Sequence, residues 1–160
     1  MPLWQQGGRA MDFLREQGLI YTSKKYEEIY RLFANKYDIS YDQLFTLCAV
    51  IGFRNNRMAE REEKGREFRG SYFKLENRAS LYSIIINDSE LGKMMESFDN
   101  SEYHKRCIDK LVMYSEGGMD ILVEEVFRGK WGANKLDERY DEYIIDIISY
   151  VYGESIALPF

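Results

Sequence analysis

Residues 39–53, ISYDQLFTLCAVIGF, decide the fold class of this chain. Ser40 stands three residues before Gln43, the reciprocal arrangement in which two side chains satisfy orphan backbone donors of a first helical turn. Leu44, Leu47, Cys48 and Ile51 follow at helical spacing, while Phe45, Ala49 and Val50 leave little polar surface on the other side. The pattern predicts a helix that starts at Ser40 and is buried nearly all round, the central helix of a helical domain.

The same period recurs on both sides of it. Tyr26, Ile29, Tyr30 and Phe33 form one stripe, Leu91, Met94, Met95 and Phe98 another, and Met119, Leu122, Val123 and Val126 a third. Tyr140, Tyr143, Ile144, Ile147, Ile148 and Val151 fall on one helical face near the C-terminal end. Tyr103, Cys107, Leu111 and Tyr114 share a face before Gly117-Gly118, which read as a turn or helix C-cap. Asn77 precedes a short helix through Leu81, Ile84 and Ile85, and Asp88 can cap the helix carrying Met94 and Met95. Strand alternation is confined to a hint at 67–75, EFRGSYFKL. The expectation is a single all-α domain over 1–160 with six to eight helices and, near 67–75, a short extended or hairpin piece. Residues 1–8 read as an arm, 54–76 as a charged connecting segment and 153–160 as a tail.

Composition agrees. A chain of 160 residues can bury about 70% of the surface its unfolded form exposes, and 13 Tyr and 9 Phe against 2 Pro suit a packed helical protein. The net charge of −5 argues against general nucleic-acid binding, which needs clustered Lys and Arg facing phosphates. The C-terminal end is acidic, with Asp137, Glu138, Asp141, Glu142, Asp146 and Glu154 against Lys135 and Arg139, which favours protein partners there. No apolar run reaches the roughly 18–20 residues of a membrane span, and MPLWQQGGRAMDF lacks a signal-peptide core, so the chain reads as cytoplasmic.

Chemistry-bearing constellations are few. Cys48 and Cys107 lie in apolar helical patterns and read as reduced, buried thiols. His104 is the only histidine, followed by Lys105 and Arg106, and reads as a surface residue on a charged face. One histidine and two separated cysteines build no tetrahedral metal site, and carboxylates such as Glu60, Glu62 and Glu63 at helix spacing read as solvated. Neither a phosphate loop nor a dinucleotide fingerprint is present. No catalytic residue, metal or cofactor is assigned, and no enzyme activity is expected.

Charge changes abruptly after Phe53. If the helix continues, Arg54, Arg57, Arg61 and Lys64 make a basic stripe beside an acidic one of Glu60, Glu63 and Glu67. Pairs such as Glu60 with Lys64, worth about 0.2–0.5 kcal/mol each, can serve simply to hold an exposed helix. The other outcome is contact with phosphate or an acidic partner, for which Arg54, Arg57, Arg61, Lys64, Arg66 and Arg69 are the candidates.

The run FTLCAVIGFRNNR at 45–57, FRGSYF at 68–73 and MYSEGGMDILVEE at 113–125 resemble the pattern of Dnd system-associated protein 4 and similar small proteins. These are encoded beside bacterial DNA phosphorothioation and phage-defence genes. In them an apolar helix ends at a Gly-Phe or Gly-Tyr step followed by basic residues, and a Gly-Gly turn opens a later helix, here the position of Gly117-Gly118. The similarity spans residues 26–128 and includes no catalytic residue; the N-terminal MPLWQQGG and the acidic C-terminal helix depart from it. It implies a non-enzymatic accessory subunit of an anti-phage defence complex that binds a larger ATPase or nuclease, SMC-like or Dnd-type, with DNA as a further contact. The alternative is a small sequence-independent DNA-binding regulator.

Overall fold

The computed structural model describes residues 12–157. In chain order these form α1 (Phe13–Glu16), β1 (Leu19–Ser23), α2 (Glu27–Tyr37), α3 (Tyr41–Arg54), β2 (Lys64–Arg69), α4 (Leu75–Asn87), α5 (Ser101–Ile121), β3 (Trp131–Gly132), β4 (Lys135–Leu136) and α6 (Tyr143–Ala157). Short 3₁₀ turns cover Gly70–Tyr72 and Leu91–Ser97, and a π turn covers Leu122–Val126. The chain is mostly helical, and its expectation as all-α is corrected by two small antiparallel sheets, β1–β2 and β3–β4. The arm assigned to 1–8 lies outside the described residues. The tail assigned to 153–160 is helical through Ala157 as the end of α6.

Helix α3 starts as its capping box dictates, with the Ser40 N–H donating to Gln43 Oε1 at 2.9 Å. Leu44, Phe45, Cys48, Ala49 and Ile51 are all buried, and α3 crosses α5 so closely that no side chain fits between them. A Cβ on Gly118 would stand 1.8 Å from the Cys48 carbonyl oxygen; one on Gly52 would stand 2.0 Å from that of Tyr114, and one on Gly117 2.2 Å from that of Arg57. This overturns the assignment of Gly117-Gly118 as a turn: α5 runs through both residues to Ile121. Each internal glycine costs a helix about 1 kcal/mol relative to alanine, and the contact of two backbones offsets that loss. Ser115 Oγ adds a hydrogen bond to the Phe45 carbonyl at 3.1 Å across the seam.

Two further expectations hold with altered detail. Asp88 caps the turn that follows it, its Oδ1 accepting from the Glu90 and Leu91 N–H groups at 2.9 Å, but that turn is 3₁₀ and kinked at Met94. Helix α4 begins at Leu75, so Asn77 lies within its first turn rather than before it. Asp88 also accepts from Lys110 Nζ at 2.8 Å and from Tyr114 Oη at 2.6 Å, tying the end of α4 to the middle of α5. Burial pushes this carboxyl up, but the hydrogen bonds from Leu91, Lys110, Tyr114 and Glu90 outweigh burial and hold it at about 2.

Strand β1 pairs antiparallel with β2 across the whole of α2 and α3, with Leu19 opposite Arg69, Ile20 opposite Phe68 and Tyr21 opposite Glu67. Ile20 and Phe68 turn inward, where Phe68 meets Phe45 and Phe73 edge-on. The hint at 67–75 thus corresponds to the end of β2 and the 3₁₀ turn after it. The second sheet is a tight hairpin whose turn residues, Ala133 and Asn134, both have positive φ, 51° and 60°, the backbone that matches the twist of two-residue hairpins. From there the chain returns in α6, which lays Tyr143 and Ile147 over Phe33 and Phe127.

Candidate functional site

The basic stripe expected beyond Phe53 does not form. Helix α3 stops at Arg54, Asn56 adopts a left-handed φ of 51°, and the segment then runs irregularly into β2. The Gly52 carbonyl accepts from the Arg57 N–H at 2.8 Å, closing the helix at the glycine that α5 presses against. With no helix, the six candidate cations do not form one stripe: Arg61 and Lys64 come together at Tyr21, and the other four lie elsewhere. Arg57 forms a two-pronged pair with Glu124 at 2.7 and 2.6 Å and lies 3.9 Å from Asp120. Arg61 donates to the Tyr21 carbonyl at 2.6 Å. The Lys64 ammonium sits 4.7 Å above the Tyr21 ring, and the Arg66 guanidinium 5.2 Å from that of Tyr41. Arg69 is exposed on β2, opposite Leu19. Arg54 is exposed at the end of α3 and lines an apolar groove beside α6.

Arg57 leads into a polar seam along one side of α5. Glu116, only 8% exposed, accepts from Ser23 Oγ at 2.9 Å, and one turn later Asp120 accepts from the Tyr26 hydroxyl. The π turn after Ile121 then carries Glu124, the partner of Arg57. Burial raises Glu116 to about 7, helped by the charge of Asp120 and opposed by Ser23, Lys25 and Arg61. Burial, then the hydrogen bond to Asp120, pushes the Tyr26 hydroxyl well above its ordinary range. Glu116 can hold a proton near neutrality, and its carboxyl is turned to Ser23 rather than into the grooves beside β1 or α6. The seam joins β1 and the segment after α3 to α5.

The remaining chemistry-bearing groups are packed away. Cys48 and Cys107 are buried free thiols; burial pushes Cys107 to about 11 and Cys48 further, so neither is a nucleophile at neutral pH. His104, expected on a solvated face, is instead half-buried, its ring stacked on Phe13 with centroids 4.2 Å apart and its Nε2 2.6 Å from the Phe98 carbonyl oxygen. The helix turn that brings it there also carries Tyr103 into the core, so the neighbouring charges flank an aromatic cluster. Among the described residues no three or more His, Cys, Asp or Glu side chains are grouped to hold a metal ion. No helix among them is long and apolar enough to cross a membrane.

What stands out on the surface is α6. The predicted stripe is only half buried: Tyr143 and Ile147 face the core, whereas Ile148 is 61% exposed and Tyr140 precedes the helix. Ile145, Tyr152 and Ile156 are more than half exposed too, which sets large apolar side chains at i, i+3, i+7 and i+11 along the outer face. An apolar groove of about 530 Å³ runs beside it, with Leu44 and Leu47 of α3 on one wall, Ile148 and Tyr152 on the other, and Arg54 at its rim. Sequence reasoning passed over Ile145, Tyr152 and Ile156 because they fall off the chosen stripe. The usable signal was a helix whose apolar residues extend beyond a single stripe. Searches of protein-family models, curated proteins and solved structures return no match to this chain.

Proposed function

We propose that this protein is a non-enzymatic accessory subunit of a bacterial anti-phage defence complex, acting in the cytoplasm by docking a larger ATPase or nuclease of SMC-like or Dnd type. The observation that carries the docking is the outer face of α6, where Ile145, Ile148, Tyr152 and Ile156 are solvent-exposed beside an apolar groove. Its occupant is an amphipathic helix of the partner, laid in the groove with apolar anchors at helical spacing. A carboxylate on that helix meets Arg54, which has no ion pair among the described residues. The partner's class rests on the resemblance carried by residues 45–57, 68–73 and 113–125.

The alternative, a sequence-independent DNA-binding regulator, needs cations gathered on one surface. It loses support because, of Arg54, Arg57, Arg61, Lys64, Arg66 and Arg69, only Arg61 and Lys64 line a common groove, and Arg57 is already committed to Glu124. Isolation of the tagged chain from its native host, with identification of stoichiometric partners, tests the proposal. Ile148→Asp combined with Tyr152→Ala should abolish association with the ATPase or nuclease while the helical circular dichroism persists. A stoichiometric partner retained by this variant, or a second copy of the chain as the occupant, defeats the docking; salt-sensitive duplex DNA binding by the isolated chain favours the regulator.

A further inference from the structure

A second groove, sharing no residue with the α6 face, lies between β1 and the first three turns of α5. It has a volume of about 390 Å³ and is lined by Leu19, Ile20 and Tyr21 on one side and by Lys105, Ile108 and Val112 among others on the opposite side. Of the β2 residues only Lys64 reaches it, so the groove lies along the edge of β1 that β2 does not occupy. The pairing agrees with this. The Gly70 N–H donates to the Gly18 carbonyl at 3.0 Å and Ile20 stands opposite Phe68, so the even-numbered residues of this stretch exchange ladder bonds with β2. The backbone groups of Leu19 and Tyr21 therefore point into the groove. Arg61 takes the Tyr21 carbonyl, and among the described residues the amides of Leu19 and Tyr21 donate to no backbone carbonyl in the turns and loops around them.

An open strand edge is a template for a further strand. Here the template has a charge of its own. Arg61, Lys64 and Lys105 line the groove with one acid, Asp109, and none of these three cations has a carboxylate within 4.0 Å among the described residues, in a chain whose net charge is −5. Ala59 donates to the Met113 carbonyl at 3.0 Å, which holds the segment carrying Arg61 near the Val112 end, whereas Lys105 lies two turns earlier. From Ser101 to Val112 α5 spans about 16 Å, the length of about five residues of extended chain. We infer that the free edge of β1 and the facing side of α5 form a strand-addition site for an extended, acidic peptide segment of a partner protein. Backbone hydrogen bonds to Leu19 and Tyr21 supply the register, Leu19 and Ile108 take alternate apolar side chains, and Arg61, Lys64 and Lys105 select acidic ends. A nucleic acid would use the same cations and leave the strand edge idle.

The two occupants are separable with the full chain and a fluorescein-labelled Glu-Val-Thr-Val-Glu peptide. Anisotropy should report salt-sensitive binding, weakened at least tenfold by Lys64→Glu with Lys105→Glu in a variant of unchanged helical circular dichroism. Alternate backbone N-methylation of the peptide, which keeps its charge and removes its strand donors, should weaken binding by a similar factor. Residue-resolved hydrogen exchange with unlabelled peptide should show new protection at the Leu19 and Tyr21 amides. No binding at millimolar peptide overturns the inference. So does equal binding of the N-methylated peptide or of a five-residue oligothymidylate, which would mark a bare anion site. Protection confined to α6 would likewise overturn it, whereas the α6 variant of the preceding section should bind this peptide normally.

Discussion

The α3–α5 seam and helix α6 are both written in apolar residues at helical spacing, and they end in opposite environments. In the seam, glycines bring two backbones into contact and Leu44, Phe45, Ile51, Leu111 and Tyr114 are turned into the core. In α6, Tyr143 and Ile147 are buried while Ile145, Ile148, Tyr152 and Ile156 face outward. The contrast is sharpest at the glycines. A Cβ on Gly118 collides with a carbonyl, whereas one on Gly153 of α6 meets nothing within 4 Å. Periodicity marks where a helix has apolar surface, and the number of elements available to cover that surface decides how much of it becomes core. The seam has neighbours on all sides; α6 comes after every other described element and covers them from outside.

The largest expected effect breaks the seam. Gly118→Ala should cost about 4 kcal/mol or more, because the clash is with the backbone of Cys48 and only separation of the helices relieves it. Urea denaturation checks this, and a loss under 1 kcal/mol would mean the helices are not in backbone contact. Next is Asp88→Ala, expected to cost about 2–3 kcal/mol by leaving the Tyr114 hydroxyl and the Lys110 ammonium without their acceptor. The contribution of Asp88 is present above pH 3.8 and is lost as pH falls toward about 2, since its folded-state pKa is depressed. In the variant the acid limb of a stability-against-pH curve should flatten.

Glu116 runs the other way. Its folded-state pKa is raised from 4.5 to about 7, so the stability it allows is full below pH 4.5 and is lost as pH rises through about 7. Glu116→Gln keeps an acceptor for Ser23 and carries no charge, and should stabilise the chain at pH 8 by on the order of 1–3 kcal/mol with little change at pH 4. Thermal melts at the two pH values decide; equal Tm shifts would place the titration elsewhere. The smallest effect sharpens the other half of the comparison. Gly153→Ala should stabilise α6 by about 0.5–1 kcal/mol, since a helical glycine in open space gives up only conformational entropy. A destabilised variant would show that α6 packs against more of the molecule than its exposure indicates.

Local signals were read where they act locally. The Ser40–Gln43 box, the Asp88 cap and the stripes of α2, α3 and α5 all involve residues within one or two turns, and each recurs in the structure. The β1–β2 pair escaped notice because Leu19–Ser23 is too short to alternate convincingly and its partner lies beyond two helices. Gly117-Gly118 misled for a related reason: a glycine pair signals a turn when nothing packs on it, and here α3 does.

The sequence by itself determined that the chain is mostly helical, where most of its helices run, and that its thiols belong to the interior. Hydrophobic period and capping are properties of a few neighbouring residues, so they survive any arrangement of the elements. The tertiary structure alone decided that Arg57 turns to Glu124 while Arg61 and Lys64 meet at Tyr21, that Glu116 is drawn under Ser23, and that the described residues leave the outer face of α6 and the edge of β1 uncovered. Those outcomes depend on which element arrives beside which, and no pattern of neighbouring residues encodes that.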